Sequence, residues 1–366
     1  IQEIEMAIEV FSFFSGLGFM DLGFEEAGFD IAFVNEYNHS FIQAYQYARR
    51  NRPHRPQYGY YEGSIEEFLD DRVWNQRFPD YDVRNKDRII GFIGGPPCPD
   101  FSTAGKNAGS TGENGKLTEK YVKLIVKRQP DFFVLENVKG LYQTKKHKIF
   151  YEQMKKRLYR AGYSLFDSIE NALEYGVPQF RDRLILVGFN RRRFGKNLRY
   201  TIGTNKTYEM DRIKMCNWPT VEPFQIGIVR NEPQDIIPEL TVEYWFRQNN
   251  VENHANSRDY FNTVANNKFV SIAEGDTSKK SFKRLHRWRY SPTAAYGNNE
   301  VHLHPYQPRR ISIAEALSIQ SLPVWFEVLP TLSLSAKFKM VGNGVPYLLA
   351  NGIAMELQGW IEEHMD

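Results

Sequence analysis

Val10-Phe11-Ser12-Phe13-Phe14-Ser15-Gly16-Leu17-Gly18-Phe19 sets the reading of the whole chain. Residues 10–14 are an apolar run of strand length. Gly16 and Gly18 break that run, and a helical stretch continues to Ala27. A second strand follows at 31–35. The alternation then recurs, with buried-strand runs at 88–93, 132–135 and 184–189. Amphipathic helices lie at 118–128, ended by Pro130, and at 149–160, ended by Gly162. Such βαβ alternation predicts an α/β, Rossmann-like fold, a largely parallel sheet with helices on both faces. From about 190 to 310 the rhythm stops, and the segment is rich in Asn, Pro, Tyr and charge. Regular signal returns at Ser312, whose spacing to Glu315 predicts a capping box opening a helix over 313–321, stopped by Pro323. A last helix is predicted over 345–360. The expected division is a larger domain, 1–189 completed by 331–366, and a smaller irregular domain, 190–330.

The chain of 366 residues is long enough for about two domains. Its 42% hydrophobic and 25% charged residues exclude wholesale disorder, collagen and coiled coil. No apolar run reaches the roughly 18 residues of a membrane span, and residues 1–10 carry three glutamates where a signal peptide has basic residues. A soluble protein that is not visibly exported is expected. Two cysteines far apart, Cys98 and Cys216, exclude a disulfide framework and favour a reducing compartment. The net charge of +3 is uneven: residues 190–310 hold 20 Lys and Arg against 12 Asp and Glu, an excess of 8. That excess peaks at Arg191, Arg192 and Arg193. It peaks again at Lys279 to Arg289, where cations alternate with Phe282, His286, Trp288 and Tyr290. Clustered cations beside aromatics suit contact with nucleic-acid phosphates and bases, and a solvated basic face is the alternative.

Four constellations bear on chemistry. Residues 14–18 join a strand to a helix where such folds bind ligands. The next glycine is Gly23, so the loop is not G-x-G-x-x-G, and a nucleoside cofactor without phosphates fits better than a dinucleotide. Glu36 stands where an acid meets ribose hydroxyls, and Tyr37 offers a ring for adenine; a plain tight turn is the alternative. Gly94-Gly95-Pro96-Pro97-Cys98-Pro99 fixes a rigid loop that holds one thiol at the sheet edge. A thiol there reads as a nucleophile, or else as a small core residue. Glu136, with Asn137, ends an apolar strand, where poor solvation raises a carboxyl pKa toward that of a useful acid; a helix-capping role is the alternative. Gln179, Arg181 and Arg183 alternate as if on one strand face, suited to an anion or carbonyl, or else to solvent.

Taken in order, these motifs are Phe-x-Gly-x-Gly (14–18), Pro-Cys (97–98), Glu-Asn-Val (136–138) and Gln-x-Arg-x-Arg (179–183). Arg-x5-Glu-Ala-x3-Gln-x-x-Pro (309–323) and Gly-Asn-x-Val-Pro (342–346) follow. The series resembles the DNA (cytosine-5) methyltransferase family across nearly the whole chain and leaves about 190 to 308 as the variable target-recognition region. The resemblance implies that Cys98 adds to carbon 6 of a flipped-out cytosine while protonated Glu136 engages ring nitrogen 3. Carbon 5 is thereby made nucleophilic toward S-adenosylmethionine. It further implies that Arg183 meets the cytosine carbonyl and that Arg181 positions Glu136 or a phosphate. Phe14, Ser15, Gly16, Leu17, Gly18, Glu36, Tyr37, Ser64, Ile65, Pro97, Leu117, Asn343 and Val345 are the implied cofactor residues, and no metal is implied. Ser102 and Gln179 are the implied DNA contacts. Arg284, Arg287, Arg289 and Tyr290 are added from their composition as candidate base readers.

Three positions depart from the family pattern: Ser64 replaces an Asp for the adenine amino group, Pro99 a frequent Gln, and Phe19 a common glycine. The expected protein is a monomer acting on double-stranded DNA, the modification half of a restriction system whose endonuclease acts separately. A transfer-RNA cytosine methyltransferase and an inactive DNA-binding relative are the competing readings. His302 and His304, which have no Cys or carboxylate partners in sequence, are expected as loop or phosphate contacts rather than metal ligands.

Overall fold

The computed structural model describes residues 7–97, 113–262, 266–279, 281–293, 296 and 302–365. In chain order the first part holds β1 (Ala7–Phe13), α1 (Phe19–Glu26), β2 (Asp30–Glu36), α2 (His39–Ala48), β3 (Tyr60–Glu62), α3 (Asp71–Arg77), β4 (Arg88–Gly94), α4 (Glu113–Arg128) and β5 (Phe132–Val138). It continues with α5 (Gly140–Gln143), α6 (Lys145–Arg160), β6 (Tyr163–Asn171) and β7 (Asp182–Asn190). The strands form one sheet in the order β3-β2-β1-β4-β5-β7-β6. The first five pair in parallel, and β7 runs antiparallel to both of its neighbours. The largely parallel sheet was legible in the sequence; β6 was not. Its nine residues carry Ser164, Asp167, Ser168 and Glu170 among the apolar positions, and as an edge strand it is only half-buried along most of its length.

Period-two alternation sorts the strand side chains onto the two faces. Ile8, Val10, Ile89, Ile93, Phe132, Val134, Ile185, Val187 and Phe189 join one core, which also takes in Leu349, Ile353 and Leu357 from near the end of the chain. Phe11, Phe13, Ile90, Phe92, Phe133, Leu135, Leu184 and Leu186 join the other, beneath α4 and α6. This second face is aromatic: the Phe11 ring lies within 6.2 Å of Phe33, Tyr58, Trp74, Phe78, Tyr81 and Phe92. Two glycines make room for rings, one on each face. A Cβ at Gly91 would meet the Phe132 ring at 2.0 Å, and one at Gly188 the Phe133 ring at 2.1 Å, each across the strand pair.

Beyond the sheet come α7 (Arg191–Phe194), α8 (Met210–Met215), α9 (Val242–Gln248), α10 (Asn266–Ser271), β8 (Lys283–Arg284), β9 (His302–Leu303), α11 (Ile313–Ile319), α12 (Leu334–Asn343) and α13 (Tyr347–Glu363). The Ser312–Glu315 capping box is present, although α11 stops at Ile319 rather than at 321. The expected boundaries at 190 and 330 cut through packed clusters. Phe194, Leu198, Tyr200 and Ile202 stay on the sheet core, while Ile313, Leu317 and Leu322 pack with Phe19, Leu22 and Phe41.

Candidate active site

The chain leaves β1 toward β2 on one side and returns to β4 on the other, so the carboxyl ends of β1 and β4 flank a topological switch point, where open α/β sheets bind ligands. The loop after β1 is tightly built. Phe14, Gly16 and Gly18 have φ of 55°, 57° and 79°. Gly18 N–H donates to Ser15 O at 2.8 Å, and Ser15 N–H to Asn35 O at 3.1 Å. A Cβ at Gly18 would strike the Tyr45 ring at 2.3 Å. Beneath the loop, Arg49 donates to Gly18 O at 2.6 Å and lies 3.9 Å over the Tyr45 ring. Tyr45 OH and Ser12 Oγ donate to Asp21 at 2.9 and 2.7 Å. Burial pushes the Asp21 carboxyl up to about 6 against the opposing pull of Arg49. No motif announces Tyr45 or Arg49, which act on the loop from some 30 residues further along the chain.

Glu36 ends β2 and accepts from Gly16 N–H at 2.8 Å and Asn38 N–H at 2.9 Å. Burial raises its pKa despite these bonds. Because the Gly16 amide already serves Glu36, the loop offers no phosphate cradle, whereas a hydroxyl-bearing nucleoside suits the carboxylate. Ser15 Oγ is buried with no hydrogen-bond partner among the described residues, space is open at Gly16, and Tyr37 is 76% exposed beside Glu36. These residues fit a nucleoside-bearing methyl donor. Phe14 meets Tyr121 edge-on at 6.0 Å, one helical turn after half-buried Leu117. Ser64 Oγ caps the short helix Ile65–Leu69, and Ile65 is buried in the aromatic core. Phe19, the departure from glycine, has a packing role: its buried ring lies on Gly344, where a Cβ would meet it at 2.2 Å, and edge-on to Phe326 at 5.4 Å. It therefore packs the 342–346 turn against the start of α1, with Val345 buried and Asn343 exposed.

Glu136 stands near the end of β5, 8% exposed. Its Oε1 is 2.7 Å from Arg183 Nε, a diagonal pair across β5 and β7. Burial raises the Glu136 pKa, and Arg183 and Arg181 only partly oppose it. A Cβ at Gly95 would come within 2.8 Å of Glu136 Oε2, so the glycine leaves that oxygen room. Asn137 Nδ2 reaches Pro96 O at 3.5 Å, tying β5 to the loop that runs through exposed Pro97 toward Cys98. Cys98, Pro99 and Ser102 lie outside the described residues. Gln179, Arg181 and Arg183 do not share a strand face, since β7 begins at Asp182. Gln179 is fully buried against Gln320 (3.0 Å) and Ile319 O (3.3 Å), so its side chain is not placed as a DNA contact. Buried Arg181 donates to Gly342 O at 2.8 Å and Gly344 O at 3.1 Å, holding the turn rather than a phosphate, and its charge also favours the carboxylate form of Glu136.

A family model described as C-5 cytosine-specific DNA methylase matches residues 8–359. The chain belongs to this family. It is 53% identical over 365 residues to the Type II methyltransferase M.NmeDI of Neisseria meningitidis serogroup C, covering 98% of this chain and 85% of that protein. It is 29% identical to the Type II methyltransferase M.FnuDI of Fusobacterium nucleatum, covering 96% of this chain and 94% of that one. The fold is similar to that of a DNA modification methyltransferase encoded within an E. coli prophage, with TM-score 0.64, 19% identity and coverage of 97% and 100%. It is also similar to that of the S. pombe Dnmt2 methyltransferase, with TM-score 0.61, 12% identity and coverage of 96% and 99%. As a family member the chain is a DNA cytosine-5 methyltransferase. Among the described residues no cluster of His, Cys, Asp and Glu has the makings of a metal site, and no helix is long and apolar enough to cross a membrane.

In a DNA methylase the irregular segment is where base readers are sought, and here the structure corrects the sequence reading. Arg284 is wholly buried. It donates to Ile272 O at 2.7 Å, His304 O at 2.5 Å, Gln307 O at 3.1 Å and Phe269 O, with its guanidinium 3.8 Å over Phe224. Arg287 is buried in a bidentate pair with Glu274, at 2.8 and 3.0 Å. Neither reaches a base edge. His302 and His304 are buried as well, and burial lowers both to about 3, so they are neutral core residues rather than loop or phosphate contacts. Arg289 and Tyr290 remain half-buried. The Tyr290 ring lies 5.2 Å from Trp218 and 6.4 Å from Phe180, which is 42% exposed.

Proposed function

We propose that the chain transfers a methyl group from S-adenosylmethionine to carbon 5 of one cytosine in a specific duplex sequence, in the bacterial cytoplasm. We further propose that it acts as the monomeric modification partner of a separately acting Type II restriction endonuclease. The observation that carries this reading is the buried Glu136–Arg183 pair, facing Gly95 at the mouth of the loop that carries Cys98. When bound, S-adenosylmethionine supplies an electrophilic methyl group on a sulfonium.

The residues of this chain do the rest. Phe14, Ser15, Gly16, Leu17 and Gly18 shape the donor pocket, Glu36 accepts from ribose hydroxyls, and Tyr37 covers the adenine. Cys98 contributes the thiolate that adds to carbon 6, and at the end it leaves as thiolate when the carbon 5 proton is lost. Glu136 holds a proton toward ring nitrogen 3, drawing charge from carbon 6 as the thiolate adds. Arg183 fixes one carboxyl oxygen, which directs the other to the base, and extends toward the cytosine carbonyl. A thiol with an ordinary pKa of roughly 8.5 is a few per cent ionised at neutrality, so the acid partner decides whether the addition is productive. The names of the two Type II relatives favour duplex DNA over transfer RNA as the substrate. The sheet, residues 190–205 and the C-terminal helices are assigned as the catalytic body, with target recognition within 206–310.

The test is methyl transfer from labelled donor, followed by bisulfite sequencing of DNA from expressing cells. Cys98→Ser is expected to abolish transfer while duplex binding persists. Glu136→Gln is expected to slow it by roughly 10²- to 10⁴-fold. Unchanged turnover in either variant, or label entering only RNA, overturns the reading.

A further inference from the structure

The first basic cluster, Arg191 to Arg193, has no part in the chemistry above, and the topology shows why. Strand β7 begins beside Glu136, with Arg183 opposite Val138, and ends with Phe189 opposite Phe132, so it carries the chain to the other edge of the sheet. Seven residue steps from Arg183 to Asn190, at ~3.3 Å each, put the cluster roughly 23 Å from the acid pair. There Arg191 lies 4.5 Å over the ring of Tyr159, which is itself 59% exposed. Arg193 donates to Lys86 O at 2.9 Å, which brings the 83–86 loop with exposed Arg84 and Lys86 alongside. Arg192 keeps a side chain 45% exposed, and Lys196 is exposed. An open groove of about 500 Å³ runs between Gly162, Asn190, Arg191, Arg192 and Lys196. Within this surface six cations stand against the three exposed acids of the loop between α3 and β4, Asp80, Asp82 and Asp87, and against buried Asp131, whose carboxylate lies 3.8 Å from Arg192.

We propose that this back edge is a second binding surface for the phosphate backbone of duplex DNA, separate from the cleft that holds the target base. Three features argue for a polymer of phosphates rather than a small anion. The groove is open, the cations are spread along it rather than converging, and an exposed aromatic ring stacks under one guanidinium. The duplex in the catalytic cleft cannot itself reach round the sheet, because DNA stays stiff over about 150 base pairs. The occupant is therefore a distant segment of the same DNA or a second molecule. Holding it keeps fresh sites at high local concentration after each turnover. The choice of DNA as the polyanion rests on the reading under Proposed function.

The test is bridging. An immobilised long duplex is mixed with the protein and a labelled short duplex that fills only the catalytic cleft, and co-captured label is measured across a salt series. Wild type is expected to bridge. Arg192→Glu with Lys196→Glu is expected to lose bridging, with the salt slope of long-duplex binding falling by about 2, one per phosphate contact removed. Short-duplex methylation should stay unchanged, and Lys196→Glu alone should give about half the effect. A wild type that does not bridge, or a double variant that bridges equally, overturns the proposal. The second result would point to a dimer using two catalytic clefts. Methylation of the short duplex is read separately, so its absence in wild type breaks the functional reading, while bridging alone still decides the role of the back edge.

Discussion

The sheet and the irregular segment between about 206 and 310 solve one problem by different means. In the sheet, backbone donors and acceptors pair along the ladder, and side chains are free to fill two apolar cores. In the irregular segment, among the described residues, the ladder shrinks to the two-residue pair of β8 and β9 and isolated bridges such as Glu222 with Glu274. There, guanidinium groups meet carbonyls outside the ladder: Arg284 those of Ile272, His304, Gln307 and Phe269, Arg287 that of Ile228. Arginine suits this work because its five donors form a rigid fork. The lesson is that a basic run beside aromatics in an aperiodic stretch can be internal scaffolding, even in a protein that binds DNA.

The strongest way to break this comparison is Arg284→Ala. It would leave four carbonyls without their donor, two of them buried and two half-buried, and unpaired buried acceptors together with a lost charged hydrogen-bond centre cost on the order of 3–5 kcal/mol. Urea unfolding should show the loss, and Arg284→Lys should recover less than half of it, since one ammonium cannot span those oxygens. A variant with unchanged stability and weakened DNA binding would return Arg284 to the base readers and dissolve the contrast.

In the sheet half the telling exception is polar. Asp21 under the loop after β1 and Asp131 at the opposite edge are both pushed up to about 6 by burial. An ordinary aspartate titrates near 3.9, so between about pH 4 and 6 the folded chain binds more protons than the unfolded chain. Stability therefore falls as pH rises through that window, and the penalty is complete above it. A carboxyl moved that far costs the folded state roughly 2–3 kcal/mol per group once it is ionised. Asp21→Asn should remove its share of the slope between pH 4 and 6 in unfolding curves, while a slope identical to wild type would show that Asp21 is not held protonated.

These residues also mark what was legible in the sequence. The parallel core strands showed because Val, Ile and Phe alternate to two buried faces, and Glu136 and Glu36 showed because each stands at the end of such a strand. Edge strand β6 was hidden because its residues face solvent in part and break the apolar pattern. Gln179 and Arg181 form a recognisable motif, yet their burial against Gln320 and the 342–344 turn depends on elements some 140 to 160 residues away, which spacing cannot report. Tyr45 and Arg49 stayed hidden because their contacts with the loop after β1 are likewise made only in the fold. Phe19 departs from the family pattern, and its packing partner Gly344 lies at the far end of the chain, so only the fold reveals that large and small residues are matched there.

The smallest effect sharpens the comparison most, because it is set five residues from the largest. Among the described residues Arg289 donates a single bond, at 3.3 Å to Pro219 O, and its guanidinium lies 5.2 Å from the Tyr290 ring at the half-buried rim. With one long bond at a half-buried rim to lose, Arg289→Ala should shift unfolding by less than about 0.5 kcal/mol. If the rim faces DNA, the same change should weaken duplex binding and lower the salt slope by about 1. The ratio of the two readouts is what matters. Arg284→Ala should move stability far more than the salt dependence of binding by the folded fraction, and Arg289→Ala the reverse. Were both arginines to act alike on either readout, burial would not be what separates scaffold from reader in this segment.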